Sequence, residues 1–127
     1  MSVWRKKAIE CLPELRKDFE DPHASIYIVF GDLLSAAVNF HKTNSIDRLQ
    51  KIYDFAEWCL RQKDKDLWNA AGVSFYEHLG DYAETRQEMR RWVKPDIYSD
   101  IRGLLKLRLS NEQMKRIDSS YRETNKR

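Results

Sequence analysis

Residues 25–42 read SIYIVFGDLLSAAVNFHK, and the reading of this stretch decides the fold. Its first half, rich in β-branched and aromatic residues, would on its own suit a buried strand. It passes without a turn signal into LLSAAVNF, and that continuity favours a single helix over 23–41, with Ser25 available to cap it. On a helical wheel Ile26, Val29, Phe30, Leu33, Leu34, Ala37, Val38 and Phe40 cover most directions, and only a strip of Asp32, Ser35 and Asn39 is polar. A helix apolar nearly all round is enclosed by neighbours, so this one is expected at the centre of an all-α fold.

Working outward, Lys42-Thr43-Asn44 is a short connection, with Asn44 read as an N-cap and Asp47 as the acidic residue three positions on. Ile46, Leu49, Ile52, Tyr53, Ala56, Cys59 and Leu60 then form one buried stripe. Phe55 and Trp58 fall outside its centre, which favours packing on a second neighbour over an exposed aromatic patch. Asp64 or Asp66 can cap a helix over 67–79. One side of it holds Leu67, Trp68, Ala71, Phe75 and Leu79, and the other sets Glu77 among Ala70, Val73 and Ser74. Gly80 is placed to end that helix, and Asp81 with Glu84 to start another that reaches Val93, with Met89, Trp92 and Val93 as core candidates. Pro95 opens a helix turning Ile97, Ile101, Leu104, Leu105 and Leu109 inward. Ser110 and Gln113 form a capping box before Met114, Ile117 and Tyr121. Upstream, Trp4, Ala8, Cys11 and Leu12 recur at helical spacing until Pro13, a short helix follows through Phe19, and Asp21-Pro22 makes a turn. The tail 123–127 is expected to fray.

The expectation is one domain over residues 1–127, a compact bundle or short HEAT- or armadillo-like stack of about seven helices. The repeat hint comes from two successive helices carrying Phe55-Ala56-Glu57 and Phe75-Tyr76-Glu77. A chain with 42% hydrophobic and 34% charged residues, and only 4 Gly and 3 Pro, can bury such a core without disulfides or metal. Cys11 and Cys59 lie in apolar helical stretches and read as small buried hydrophobes. No run of about 18 apolar residues occurs and the first residues lack a secretory pattern, so a cytoplasmic location with no membrane partner is expected.

The net charge of +3 is unevenly spread: residues 1–81 hold 11 Lys and Arg against 13 Asp and Glu, and residues 82–127 hold 12 against 7. A basic third of that kind could face nucleic acid. Arg86, Arg90, Arg91 and Lys94, however, are interspersed with Glu84 and Glu88 at the spacing of intrahelical pairs, and no stacking motif or zinc-finger spacing accompanies them. A solvated helix face is expected, and nucleic acid is not.

For chemistry the sequence offers little. His23, His41 and His78 have no histidine partner three or four residues away, so no metal is expected. No nucleophile elbow, P-loop or glycine-rich dinucleotide turn is present, so neither a cofactor nor an enzyme is expected. Three acids stand out because each interrupts an apolar helix, where a charge is costly unless paired or exposed. Asp32 is expected to hydrogen-bond a neighbouring helix or cap, Glu57 to pair with Arg61, and Glu77 to meet a partner. Glu57 facing Glu77 across adjacent helices would make an acid/base pair, the catalytic alternative. The 4 Trp and 6 Tyr either fill gaps between short helices or anchor an interface.

The stretches SIYIVFGDLLSAAVNFHK, IDRLQKIYDFAEWCL and DLWNAAGVSFYEHLGD resemble a bacterial family of small all-helical proteins akin to the immunity proteins encoded beside polymorphic or contact-dependent toxins. The matching positions are Gly31, Asp32, Glu57, Asn69 and Glu77. The resemblance implies stoichiometric occlusion of a cognate toxin, a nuclease being one kind, through Glu57, Trp58, Tyr76, Glu77 and Asp81. Immunity proteins against nucleases are often acidic. This chain is mildly basic, and its central residues 32–81, with 6 basic against 8 acidic, are the part suited to such a partner. The alternatives are a helical scaffold or regulator with a basic C-terminal docking surface, and a hydrolase using Glu57 and Glu77.

Overall fold

In the computed structural model, which describes the backbone of residues 1–125 and the side chains of residues 1–122, the SIYIVF stretch is helical throughout. The elements run α1 (Val3–Cys11), a 3-10 turn (Pro13–Leu15), α2 (Arg16–Glu20), α3 (Ile26–Lys42), α4 (Ile46–Leu60), α5 (Lys65–Ser74), a second 3-10 segment (Tyr76–Asp81), α6 (Ala83–Gln87), α7 (Met89–Trp92), α8 (Pro95–Lys106) and α9 (Asn111–Asn125). Among the described residues there is no strand, and the fold is a compact all-α one. The frayed end expected at 123–127 lies outside the described side chains, although α9 itself runs through Asn125.

α3 is the central element: it packs on α1, α4, α5 and α6. Ile26, Val29, Phe30, Leu33, Leu34, Ala37 and Val38 are buried, while Asp32, Ser35 and Asn39 form the exposed strip. Local capping follows the sequence. The Ser25 hydroxyl accepts from the Ile28 amide, Asp64 from the Asp66 amide, and Ser110 and Gln113 exchange bonds of 3.1 and 3.0 Å in a complete capping box.

Four local expectations are corrected. Asn44 is not an N-cap. It is the left-handed residue, φ 54°, that ends α3, with the Ser45 amide on the Phe40 carbonyl at 2.9 Å and its own amide on His41 at 3.2 Å. The helix over 67–79 stops at Ser74, because Phe75 takes φ −126°, ψ −73° and the chain continues as a 3-10 segment. Glu77 therefore does not share a face with Ala70, Val73 and Ser74. Gly80 ends no α-helix; it makes room, since a β-carbon there would lie 2.7 Å from Leu109 Cδ1. Finally, the helix from 81 to 93 breaks at Glu88 (φ −99°, ψ 6°) into α6 and α7, which raises the number of helices above seven.

Aromatic rings fill the middle of the molecule. Trp58 stacks on Phe55, Phe55 on Phe30, and Phe75 meets Phe30, Tyr53 and Tyr76 at centroid distances of 5.8, 5.6 and 5.4 Å. Tyr53 in turn stacks on Trp92 at 5.3 Å, and its hydroxyl hydrogen-bonds His41 Nε2 at 2.9 Å. Pairs of this kind contribute beyond the area they bury. Gap filling thus accounts for Tyr53, Tyr76 and Tyr121, all nearly inaccessible to solvent. Cys11 and Cys59 are free thiols in the same core, and burial pushes both up to about 12, so they stay protonated and inert.

The C-terminal helices are joined by a charged contact. Asp118 of α9 receives two hydrogen bonds from Arg102 of α8, at 2.9 and 2.7 Å, and one from the Tyr98 hydroxyl at 2.6 Å. Tyr98 stacks on Tyr121 at 4.1 Å beside it.

Two predictions follow from this architecture. Asn44→Gly should be at least as stable as the parent in urea unfolding, and Asn44→Ser should lose about 1 kcal/mol, because serine caps helices well but resists the left-handed region. The opposite order would restore an N-cap role. The Arg102 guanidinium, and then the Tyr98 hydroxyl, holds the Asp118 carboxyl below its ordinary 3.8 against the opposing effect of burial. A depressed folded-state value gives stability that is present above about pH 4 and lost as the pH falls through the folded value. Asp118→Asn should therefore lower the urea midpoint at pH 7, and the gap to the parent should close toward pH 2; a constant gap would show that this carboxylate is not linked to folding.

Candidate functional site

A concavity lies between α1 and α4. These helices run antiparallel, as two contacts along their length and one from the turn after α1 show: Lys7 Nζ lies 5.1 Å from the centre of the Trp58 ring, the Cys11 thiol donates to the Lys51 carbonyl at 3.3 Å, and Arg48 donates to Glu14 at 2.6 and 2.8 Å. The cavity between them measures about 700 Å³ and is lined by Lys7, Glu10, Cys11, Pro13, Lys51, Asp54, Phe55 and Trp58. Its volume is in the range of ligand and anchor-residue clefts. The floor is apolar: Phe55 is 4% exposed, and the half-buried Trp58 stacks on it with an interplanar angle of 14°. On each wall stand one lysine and one acid three residues apart, Lys7 with Glu10 and Lys51 with Asp54. Such a slot suits a large side chain carried on a polypeptide with both charge signs nearby.

Of the five partner-binding residues expected from sequence, only Trp58 lies in this groove. Glu57 points elsewhere and is taken up by cations. Lys94 Nζ approaches it at 2.9 and 3.0 Å and Arg61 Nε at 3.0 Å, and Arg61 also donates to Asp96 at 2.8 Å. Burial pushes the Glu57 carboxyl up, but the hydrogen bonds from Lys94 and Arg61 outweigh it and hold the group below the usual range. Asp81 is chelated by Arg108 at 3.0 and 2.8 Å and contacted by His78 Nδ1 at 3.0 Å. The Arg108 bonds are the main reason its carboxyl sits below 3.8. Glu77 lies 3.8 Å from His78 Nε2. Tyr76 is corrected outright: at 2% exposure, with its ring against Phe75, it presents nothing to a partner. Its inward turn is the consequence of the break at Phe75.

These contacts give the acids a structural task. Glu57 and Arg61 hold the N-terminal end of α8 through Lys94 and Asp96, and Asp81 holds its C-terminal side through Arg108. An acid/base pair needs one carboxyl that can carry a proton near neutrality. Glu57, ionised by two cations, is poorly suited to that.

The other singled-out positions divide as well. The Asn69 amide donates to the Tyr27 hydroxyl at 3.0 Å and ties α5 to α3. Asp32 is exposed, with no hydrogen bond to a neighbouring helix among the described residues, contrary to expectation; burial, with the nearby charge of Asp18, raises its carboxyl. Gly31 faces open space. Among the described residues no group of three or more His, Cys, Asp or Glu is arranged to hold a metal ion, and no helix is long and apolar enough to cross a membrane.

Lys7, Glu10, Pro13, Lys51 and Asp54 were not singled out by sequence reasoning. The available signal was the off-stripe pair Phe55 and Trp58, which marked a second packing neighbour without naming it as α1.

No curated protein and no solved structure matches the chain. Residues 5–108 match a domain of unknown function, DUF7674, a span running from α1 to just beyond α8 and including every residue of the groove. The chain belongs to the DUF7674 family.

Proposed function

We propose that this chain is a non-catalytic binding module that grips another polypeptide in the groove between α1 and α4, and that the polypeptide is a cognate toxin neutralised by occlusion. The observation that carries the binding reading is the groove itself, an aromatic floor of Phe55 and Trp58 between two walls that each present a lysine and an acid. An apolar anchor with charged surroundings is the arrangement that gives interfaces their affinity and register. The toxin is suggested by the resemblance of the α3, α4 and α5 sequences to immunity proteins.

The contact set differs from the one suggested by sequence alone. Glu57 is committed to Lys94 at the start of α8, Asp81 to Arg108 just past its end, and Tyr76 is buried, so recognition passes to Trp58 with Lys51 and Asp54 on α4 and Lys7 and Glu10 on α1. Occlusion needs no group with a shifted proton affinity, and the acids with the strongest internal partners are left to their structural work.

The test is co-expression with the product of the neighbouring gene, followed by titration of the purified pair. A complex at micromolar concentration that suppresses the neighbour's toxicity is the expected result; no complex, or a neighbour without toxicity, overturns the immunity reading. Lys51→Glu combined with Asp54→Arg reverses two exposed charges on the groove wall. It should weaken the complex roughly tenfold or more while leaving Tm unchanged. Unaltered affinity in that variant would move the interface away from the groove.

A further inference from the structure

A second cleft, of about 260 Å³, opens between α6 and α9 and is lined by Arg86, Gln87, Gln113, Arg116, Ile117 and Ser120. Its charge is one-sided. Two guanidinium groups line it, and no carboxylate does so among the described residues.

Sequence spacing assigns Arg86 and its basic neighbours to intrahelical pairs with Glu84 and Glu88. Arg86 itself stands two residues from both Glu84 and Glu88, a spacing that does not bring side chains together on one helix face. No ion pair between them forms among the described residues, and Arg90 and Arg91 lie against the rings of Tyr121 and Trp92 instead. Among the described residues neither Arg86 nor Arg116 forms an ion pair with a carboxylate. Arg90 Nε, buried close to Tyr121 on α9, lacks a hydrogen-bond partner among the described residues.

Two of the lining groups are fixed in orientation. Arg86 Nη1 donates to the Gly80 carbonyl at 2.8 Å, which anchors the guanidinium and leaves its other donors unused by that bond. Gln113 Oε1 accepts the Ser110 amide in the capping box at 3.0 Å, so the opposite end of its side chain is the NH2 group, a pure donor. Arg116 is exposed and makes no hydrogen bond or ion pair among the described residues.

We propose that the cleft between α6 and α9 is an oxyanion site, taking a phosphate or carboxylate group of a small soluble ligand through Arg86, Arg116 and the Gln113 amide. Planar, permanently charged guanidinium donors beside a neutral amide donor form the set that recognises such oxygens, and a fixed donor loses less freedom on binding than a mobile one. This site shares no residue with the groove between α1 and α4 and does not depend on what the groove holds.

The experiment is NMR titration of the full-length, nitrogen-15-labelled chain with sodium phosphate and, separately, sodium acetate, with ionic strength held constant by sodium chloride. Saturable shifts confined to the neighbourhood of Arg86, Gln113 and Arg116 are expected. Arg116→Gln should weaken the response at least fivefold with unchanged Tm, because that side chain makes no hydrogen bond or ion pair among the described residues. Saturation by phosphate alone identifies a phosphoryl ligand, and saturation by both salts identifies a site that also accepts carboxylates; either supports the proposal. Shifts that never saturate, or that are the same in Arg116→Gln, overturn it.

Discussion

The ring of Phe75 is the point on which the rest of this structure turns. It sits among Phe30 of α3, Tyr53 of α4 and Tyr76, within 5.8 Å of each by ring centroid. Bringing it there takes the backbone out of the α-helix at a position with no proline or glycine. The helical hydrogen bonds given up are exchanged for aromatic packing at the centre of the core. Everything downstream follows: Tyr76 and Leu79 turn inward, Gly80 lets Leu109 approach closely, and Asp81 reaches Arg108. The buried Thr85 hydroxyl then donates to the Leu79 carbonyl, satisfying an acceptor in the irregular segment.

That geometry explains why conspicuous acids need not be recognition residues. A carboxylate in an apolar helix attracts notice because it is costly to leave alone there. In Glu57 and Asp81 the cost is met by cations further along the chain, Lys94 and Arg108, and the result is that one flank of α8 is fastened to α4 and the other to the 3-10 segment Tyr76–Asp81. Each cation remains 40% or more exposed at the side chain. Such pairs contribute modestly to stability and flank a helix whose buried face is already set by Ile97, Tyr98, Ile101 and Leu105.

What the sequence made legible was whatever depends on neighbours within a turn or two. The Ser25 and Asp64 caps, the Ser110 and Gln113 box, the Pro95 start, the pairing of Glu57 with Arg61 and the enclosure of α3 are all of that kind. What it concealed depends on contacts far along the chain. The break at Phe75 answers to rings on α3 and α4, the disposal of Glu57 to a lysine 37 residues away, and the facing of Phe55 and Trp58 to α1. Asn44 is a third case: asparagine serves both as an N-cap and as a left-handed C-terminal residue, and a connection this short places it one residue from either role. Composition alone does not separate the two.

The same irregularities create the concave surfaces. Two uninterrupted helices in ridge-and-groove contact sit about 8–10 Å apart and leave no room between them for another molecule. Here α1 ends at Cys11 before Pro13, and Pro13 lines the groove with α4. α6 ends at Gln87, and Gln87 lines the cleft with α9. The two spaces differ in lining, with Phe55 and Trp58 in one and Arg86 and Arg116 in the other. These two concave surfaces thus arise where the helices depart from periodicity rather than along the helices that sequence patterning identifies most readily.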